Sequence, residues 1–167
     1  MLTKVINFFE KLITLGGHAV SWLTLVMVVI TFVVVLLRYA FDTGWIALQE
    51  SITYMHAMVF LIGAAYTLQQ DAHVRVDIFY SKCSAKNRAW VDLLGSLFLL
   101  MPMMLFISWI SWEYVQSSWE VAEGSREANG LPGVYLLKSL ILLMATLLIV
   151  QAIVQVIRSI QTIRDGH

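Results

Sequence analysis

Four long stretches without a single charged side chain constrain this sequence more than any other feature: residues 12–37, 51–70, 93–112 and 139–157. Crossing a hydrocarbon layer of about 30 Å takes about 20 apolar residues in a helix. Lipid offers the backbone no hydrogen-bond partners, so each stretch must satisfy its own amides, which an α-helix does. The composition agrees: 59% hydrophobic residues, 13% charged residues and a mean hydropathy of +0.77 lie outside the range of ordinary soluble domains. Eleven Lys and Arg balance eleven Asp and Glu, so no net charge points to nucleic acid. The single cysteine, Cys83, excludes an internal disulfide and a cysteine metal cluster.

The expected fold is therefore an all-α integral membrane protein with four transmembrane helices, forming a single membrane domain over 1–167. The spans fall at about 18–37, 51–70, 93–112 and 137–157. Before the first span, Leu2, Val5, Ile6, Phe9, Leu12 and Ile13 recur at helical spacing. Lys4, Asn7, Glu10, Lys11 and Thr14 fall on the other side, a pattern that suits an amphipathic interfacial helix at 1–16. Gly16 and Gly17 are expected to form a flexible corner into the span. A cleaved signal peptide would need a shorter apolar region and a small-residue cleavage site, which Leu36-Leu37-Arg38-Tyr39-Ala40-Phe41 does not offer, so the segment is expected to be retained.

Lysine and arginine concentrate in cytoplasmic connections. Eight of them (Lys4, Lys11, Arg75, Lys82, Lys86, Arg88, Arg158, Arg164) fall on the side of the two termini, against three (Arg38, Arg126, Lys138) on the other. Both termini are expected to be cytoplasmic. Trp45, Trp109, Trp112 and Trp119 gather near the expected outer boundary and Trp90 near the inner one, as in an interfacial aromatic belt.

Ionisable groups deep in a bilayer mark ion and proton pathways, and no Asp, Glu, Lys or Arg lies inside any span. A self-sufficient proton-driven carrier would need such a group, and no internal repeat of the kind that builds complete carriers is evident. His18 and His56 raise the alternative of a haem-binding membrane anchor of a respiratory complex. Their expected depths differ by roughly 20 Å, too far apart to ligate one iron. Asp71, His73, Arg75 and Asp77 alternate with apolar residues but lack a spacing that certifies a metal site. Gln151 and Gln155 are expected to hydrogen-bond between helices, and Gly63, Ala64 and Ala65 to form a flat patch for close helix approach. Pro102 is expected to kink the third span. Arg38 and Glu50 are expected at one depth, positioned to pair with each other or with a partner subunit. No Ser-His-Asp arrangement, Walker loop or HExxH is present, and the reading is not an enzyme.

Leu37-Arg38-Tyr39-Ala40-Phe41, then Trp45, Gln49-Glu50, Phe60-Leu61-Ile62-Gly63-Ala64-Ala65-Tyr66 and His73-Val74-Arg75-Val76-Asp77 together resemble the small membrane subunit of TRAP transporters, the DctQ-like family. The resemblance implies a bacterial inner-membrane subunit of an ion-gradient-driven, sodium-coupled uptake system for small organic acids. Its partners would be a large DctM-like membrane subunit, which would carry the substrate and the sodium, and a periplasmic DctP-like binding protein. The small subunit would brace the scaffold of the large one and hold no cofactor of its own. Arg38, Tyr39, Trp45, Glu50, Gly63, His73, Arg75 and Asp77 become candidate interface or structural residues, and Glu120, Glu123 and Glu127 a candidate contact loop for the binding protein. One departure is Gln69 and Gln70, where the family often has a basic residue.

Overall fold

A computed structural model describes residues 2–73, Tyr80 and 82–165, with side chains from Ile6 onward. Four helices are long and apolar enough to cross a membrane. They are α1 (Leu2–Ala40), α2 (Ile46–Gln69), α3 (Ala85–Glu120) and α4 (Val134–Asp165). At 1.5 Å per residue α1 is about 58 Å long and α4 about 48 Å, so both outlast the hydrocarbon layer.

The order of packing is a row rather than a closed bundle. α1 lies along α2, α2 along α4, and α4 along α3, while α1 meets α4 only marginally and α2 scarcely touches α3. At one end of the row, Glu10 of α1 reaches Arg158 of α4, which brings the N-terminal part of α1 beside the C-terminal part of α4. We call this the terminal end; the connections 41–45 and 121–133 lie at the distal end.

Small residues bring the central helices close. Ala65 of α2 and Ala145 and Ala152 of α4 are fully buried, and Ala65 and Ala145 share a core with Ile13, Met104 and Leu148. With no side-chain atoms beyond Cβ to hold them apart, helix backbones approach until many weak contacts form, which is how helices associate in lipid. Elsewhere the apolar surface stays uncovered: Trp22, Phe32 and Leu99 are each more than two-thirds exposed.

One expectation about helix continuity needs correction. The flexible corner at Gly16–Gly17 is absent, and α1 runs straight through it into the amphipathic segment. Gly17 serves close packing instead. A Cβ on Gly17 would lie 2.3 Å from Tyr66 Cγ and 2.7 Å from Tyr66 Cβ, so α2 sits where any larger residue would stand. The sidedness of that segment also differs: Ile6 and Ile13 are buried and Glu10 and Thr14 turn toward the other helices, whereas Phe8, Leu12 and Leu15 face outward. Lipid outside the row accepts apolar side chains, so the polar ones gain by facing protein partners.

Pro102 does not break α3. The irregularity takes the form of a π-helical turn at Ser96–Leu100, in which the Met101 N–H reaches back five residues to the Ser96 carbonyl. Proline has no N–H to offer the carbonyl four residues earlier, and the wider turn beside it accommodates the lost bond. α2 and α3 both end in a left-handed residue, Asp71 (φ 55°) and Ala122 (φ 45°). The amides of Ala72 and Glu123 then return to Thr67 and Ser118, each at 3.0 Å, closing the last turns.

Candidate functional site

The polar groups of the chain collect at the two ends of the row. At the distal end, the 121–133 connection is held by two carboxylates. Glu50, in the first turns of α2, accepts the Leu131 amide at 2.7 Å and the hydroxyl of Ser125. Gly130 lies directly over this pair, where a Cβ would come within 2.8 Å of Glu50 Oε2. Glu123 accepts from Lys138 Nζ at 2.5 Å and from Ser118 Oγ at 2.6 Å. The Lys138 hydrogen bond, followed by that from Ser118, holds the Glu123 carboxyl below its ordinary value of 4.5. Lys138 also lies 3.9 Å from the Tyr114 ring centre, and Trp119 donates to Ser139 at 2.8 Å while packing edge-on against Tyr135.

This arrangement corrects the expected pairing of Arg38 with Glu50. The Glu50 carboxylate is occupied by the connecting loop, and among the described residues Arg38 forms no ion pair. Arg38 instead lines a crevice of about 110 Å³ with Trp45 and Gln49, and Tyr39 beside it is 84% exposed. Of the three candidate contact acids, Glu123 is committed to Lys138. Glu120 takes a hydrogen bond from Gln116 at 3.0 Å, and both Glu120 and Glu127 are exposed.

The small-residue patch on α2 divides between two faces. Ala65 is buried inside the row, whereas nothing lies within 4 Å of a Cβ built on Gly63. His73 is exposed; Arg75 and Asp77 lie outside the described residues. The two membrane histidines are separated: His18 packs on Tyr66 at 5.6 Å and His56 on Phe60 at 4.6 Å. Tyr66 stands ten residues along α2 from His56, about 15 Å, so one iron could not take both imidazoles.

The terminal end holds residues that sequence reasoning passed over. Arg158 bridges both Glu10 oxygens at 2.6 and 2.7 Å. Gln69 donates to the Glu10 carbonyl at 3.0 Å and accepts from Thr14 at 3.1 Å. Spacing signalled part of this set, because Glu10 and Thr14 are one turn apart and share a face. Gln151 and Gln155 do not make the interhelical bonds expected of them: the side-chain oxygens of both are buried and unpartnered. Both residues line a cavity of about 570 Å³ between the ends of α2, α3 and α4, but their oxygens are closed off from it.

What the geometry offers chemically is mostly structural. Between the Glu10–Arg158 level and the Glu50–Lys138 level no side chain carries a formal charge. A layer of that kind offers no fixed charge in mid-membrane. Comparison with known proteins bears on what such a chain serves. A family model described as tripartite ATP-independent periplasmic transporters, DctQ component, matches residues 27–162. No curated protein and no solved structure matches it significantly.

Proposed function

The chain belongs to the DctQ family of tripartite ATP-independent periplasmic transporters, a family of transporter subunits and not of enzymes, and from that footing we propose that it braces the large membrane subunit of a sodium-driven uptake system for small organic acids. The observation that carries the reading is the charge-free layer spanning all four helices. A subunit with no Asp, Glu, Lys or Arg at membrane depth lacks the fixed charges through which gradients are usually coupled to a solute, so we assign the coupling to a DctM-like partner.

Two further features support a bracing role. A row of helices leaves two broad apolar faces, more than one lipid-facing protein of this size would need to hold itself together, and one of them suits a larger helical partner. The distal loop is pinned by Glu50 and Glu123, which gives the exposed Glu120 and Glu127 a fixed platform. We place that platform in the periplasm, both termini in the cytoplasm, and a DctP-like binding protein against the platform. In this arrangement Arg38, Tyr39, Trp45 and the Gly63 face are candidates for contact with the large subunit.

Co-expression tests the reading directly. Purified in mild detergent with a DctM-like subunit, the chain is expected to elute as one stoichiometric complex. Two folded proteins that elute separately would sink the proposal.

A further inference from the structure

The outward side of α2 is unlike that of its neighbours. Gln49, Thr53, His56, Phe60, Gly63 and Thr67 follow one another at gaps of four and three residues, the first four exposed and the last two half-buried. A period of about 3.5 residues is the one with which one helix lies along another. Phe60 is the only large apolar residue of the six. Elsewhere the exposed side chains at membrane depth are mostly apolar, as at Trp22, Val29 and Phe32 of α1 and Phe98, Leu105 and Trp109 of α3. Mean hydropathy agrees: 1.4 over the most apolar stretch of α2, against 2.1 to 2.8 in the other three helices.

His56 is the sharpest feature of this seam. It stands six residues beyond Glu50, about 9 Å along the axis, which puts it inside the hydrocarbon layer. Its imidazole stacks on Phe60 at 4.6 Å and, among the described residues, makes no hydrogen bond. An uncharged imidazole carries one donor and one acceptor, and lipid tails can pair with neither. Further along, Thr67 turns its hydroxyl back to the Gly63 carbonyl at 2.9 Å, and nothing lies within 4 Å of a Cβ built on Gly63. A second helix could therefore come close to the α2 backbone there.

At its distal end the seam runs into charge. Gln49 shares its crevice with Trp45 and Arg38, and Arg38 forms no ion pair among the described residues. A two-fold contact with a second copy of this chain would bring two Arg38 guanidinium groups to one level. A different protein can bring an acid instead.

We propose, resting on the bracing role above, that one transmembrane helix of the large subunit packs along this seam at a shallow crossing of about 20°. It sets a hydrogen-bonding side chain opposite His56, comes closest at Gly63, and places an acidic group near Arg38.

The affinity of the full-length chain for a DctM-like subunit in mild detergent tests this. Gly63→Leu and His56→Leu are each expected to weaken binding about tenfold or more. Both place apolar atoms where the chain alone has open surface, so the unfolding midpoint of the unbound variants is expected to stay at or above that of wild type. His56→Gln keeps a donor and an acceptor and is expected to lose less than His56→Leu. Val29→Phe on α1 and Leu105→Phe on α3 are expected to bind within about twofold of wild type. Wild-type affinity in both Gly63→Leu and His56→Leu, or an equal loss in Val29→Phe and Leu105→Phe, overturns the seam and leaves the bracing role standing. A lowered midpoint in the unbound Gly63→Leu and His56→Leu variants overturns it too, since the face would then pack within this chain. Failure of the wild-type chain to bind overturns both. A dimer of the chain alone that Gly63→Leu abolishes gives the seam to a second copy and overturns the assignment to the large subunit.

Discussion

Gly17→Ala adds one methyl group at the tightest point between α1 and α2. The new Cβ would stand 2.3 Å from Tyr66 Cγ, 2.6 Å from Cδ2 and 2.7 Å from Cβ. Swinging the tyrosine to another rotamer about Cα–Cβ moves Cγ and Cδ2 but not Cβ, which is fixed by the α2 backbone. The helices must then separate, at a cost of about 2–3 kcal/mol, the upper part of the range for overpacked interiors. Gly16→Ala is the matched control: its Cβ would meet Ile62 at 3.7 Å, an ordinary contact. Both substitutions gain up to about 1 kcal/mol of helix propensity, which cancels between them. The difference in stability between neighbouring variants therefore isolates the packing term. Reversible unfolding in mixed micelles, followed by circular dichroism as the denaturing detergent fraction rises, reads it. Gly17→Ala is expected to unfold well before wild type and Gly16→Ala at or beyond it. Equal midpoints for the two variants would refute the close approach of α1 to Tyr66.

Glu50→Ala leaves the Leu131 amide and the Ser125 hydroxyl without their acceptor and loosens the distal loop. Hydrogen exchange at Leu131 is expected to speed up about 10- to 100-fold, with little change at the terminal end. Because the Glu123 carboxyl sits below its ordinary value of 4.5, its contribution to holding the distal loop is present in full above that pH and is lost as pH falls below it. Protease protection of residues 121–133 is expected to decline over that acid range in wild type and to depend less steeply on pH in Glu123→Gln, where Glu50 alone still holds the loop. A double-mutant cycle between Glu10→Gln and Arg158→Gln is expected to give a coupling of about 1 kcal/mol or less, since Arg158 is largely exposed, and zero coupling would remove the pair from the account.

Absence of charge is a property of a whole segment, and so the four spans were legible without knowing any contact. Which face of each helix meets protein was not. In water, burial sorts apolar from polar side chains; in lipid the outside is apolar too, so Phe8, Leu12 and Leu15 can face outward while Glu10 and Thr14 turn in. The amphipathic pattern of the first segment suggests an interfacial helix, whereas Glu10 and Thr14 of its polar side meet partners on α4 and α2. Gly17 was read as a hinge because glycine serves both hinges and close contacts, and only the position of Tyr66, 49 residues away, decides between them. Glu50 illustrates the same limit at the distal end. Its partner Leu131 is 81 residues distant, and Arg38, nearer in sequence and opposite in charge, drew the expectation instead. The unpaired oxygens of Gln151 and Gln155 depend on what the neighbouring helices fail to offer, which no spacing along α4 reveals.

Ion-driven transport in reconstituted vesicles bears most directly on the charge-free layer. With a sodium gradient across liposomes holding this chain alone, no organic acid is expected to accumulate; adding the DctM-like subunit and a loaded DctP-like binding protein is expected to start uptake. Sustained accumulation by the chain alone would contradict the account.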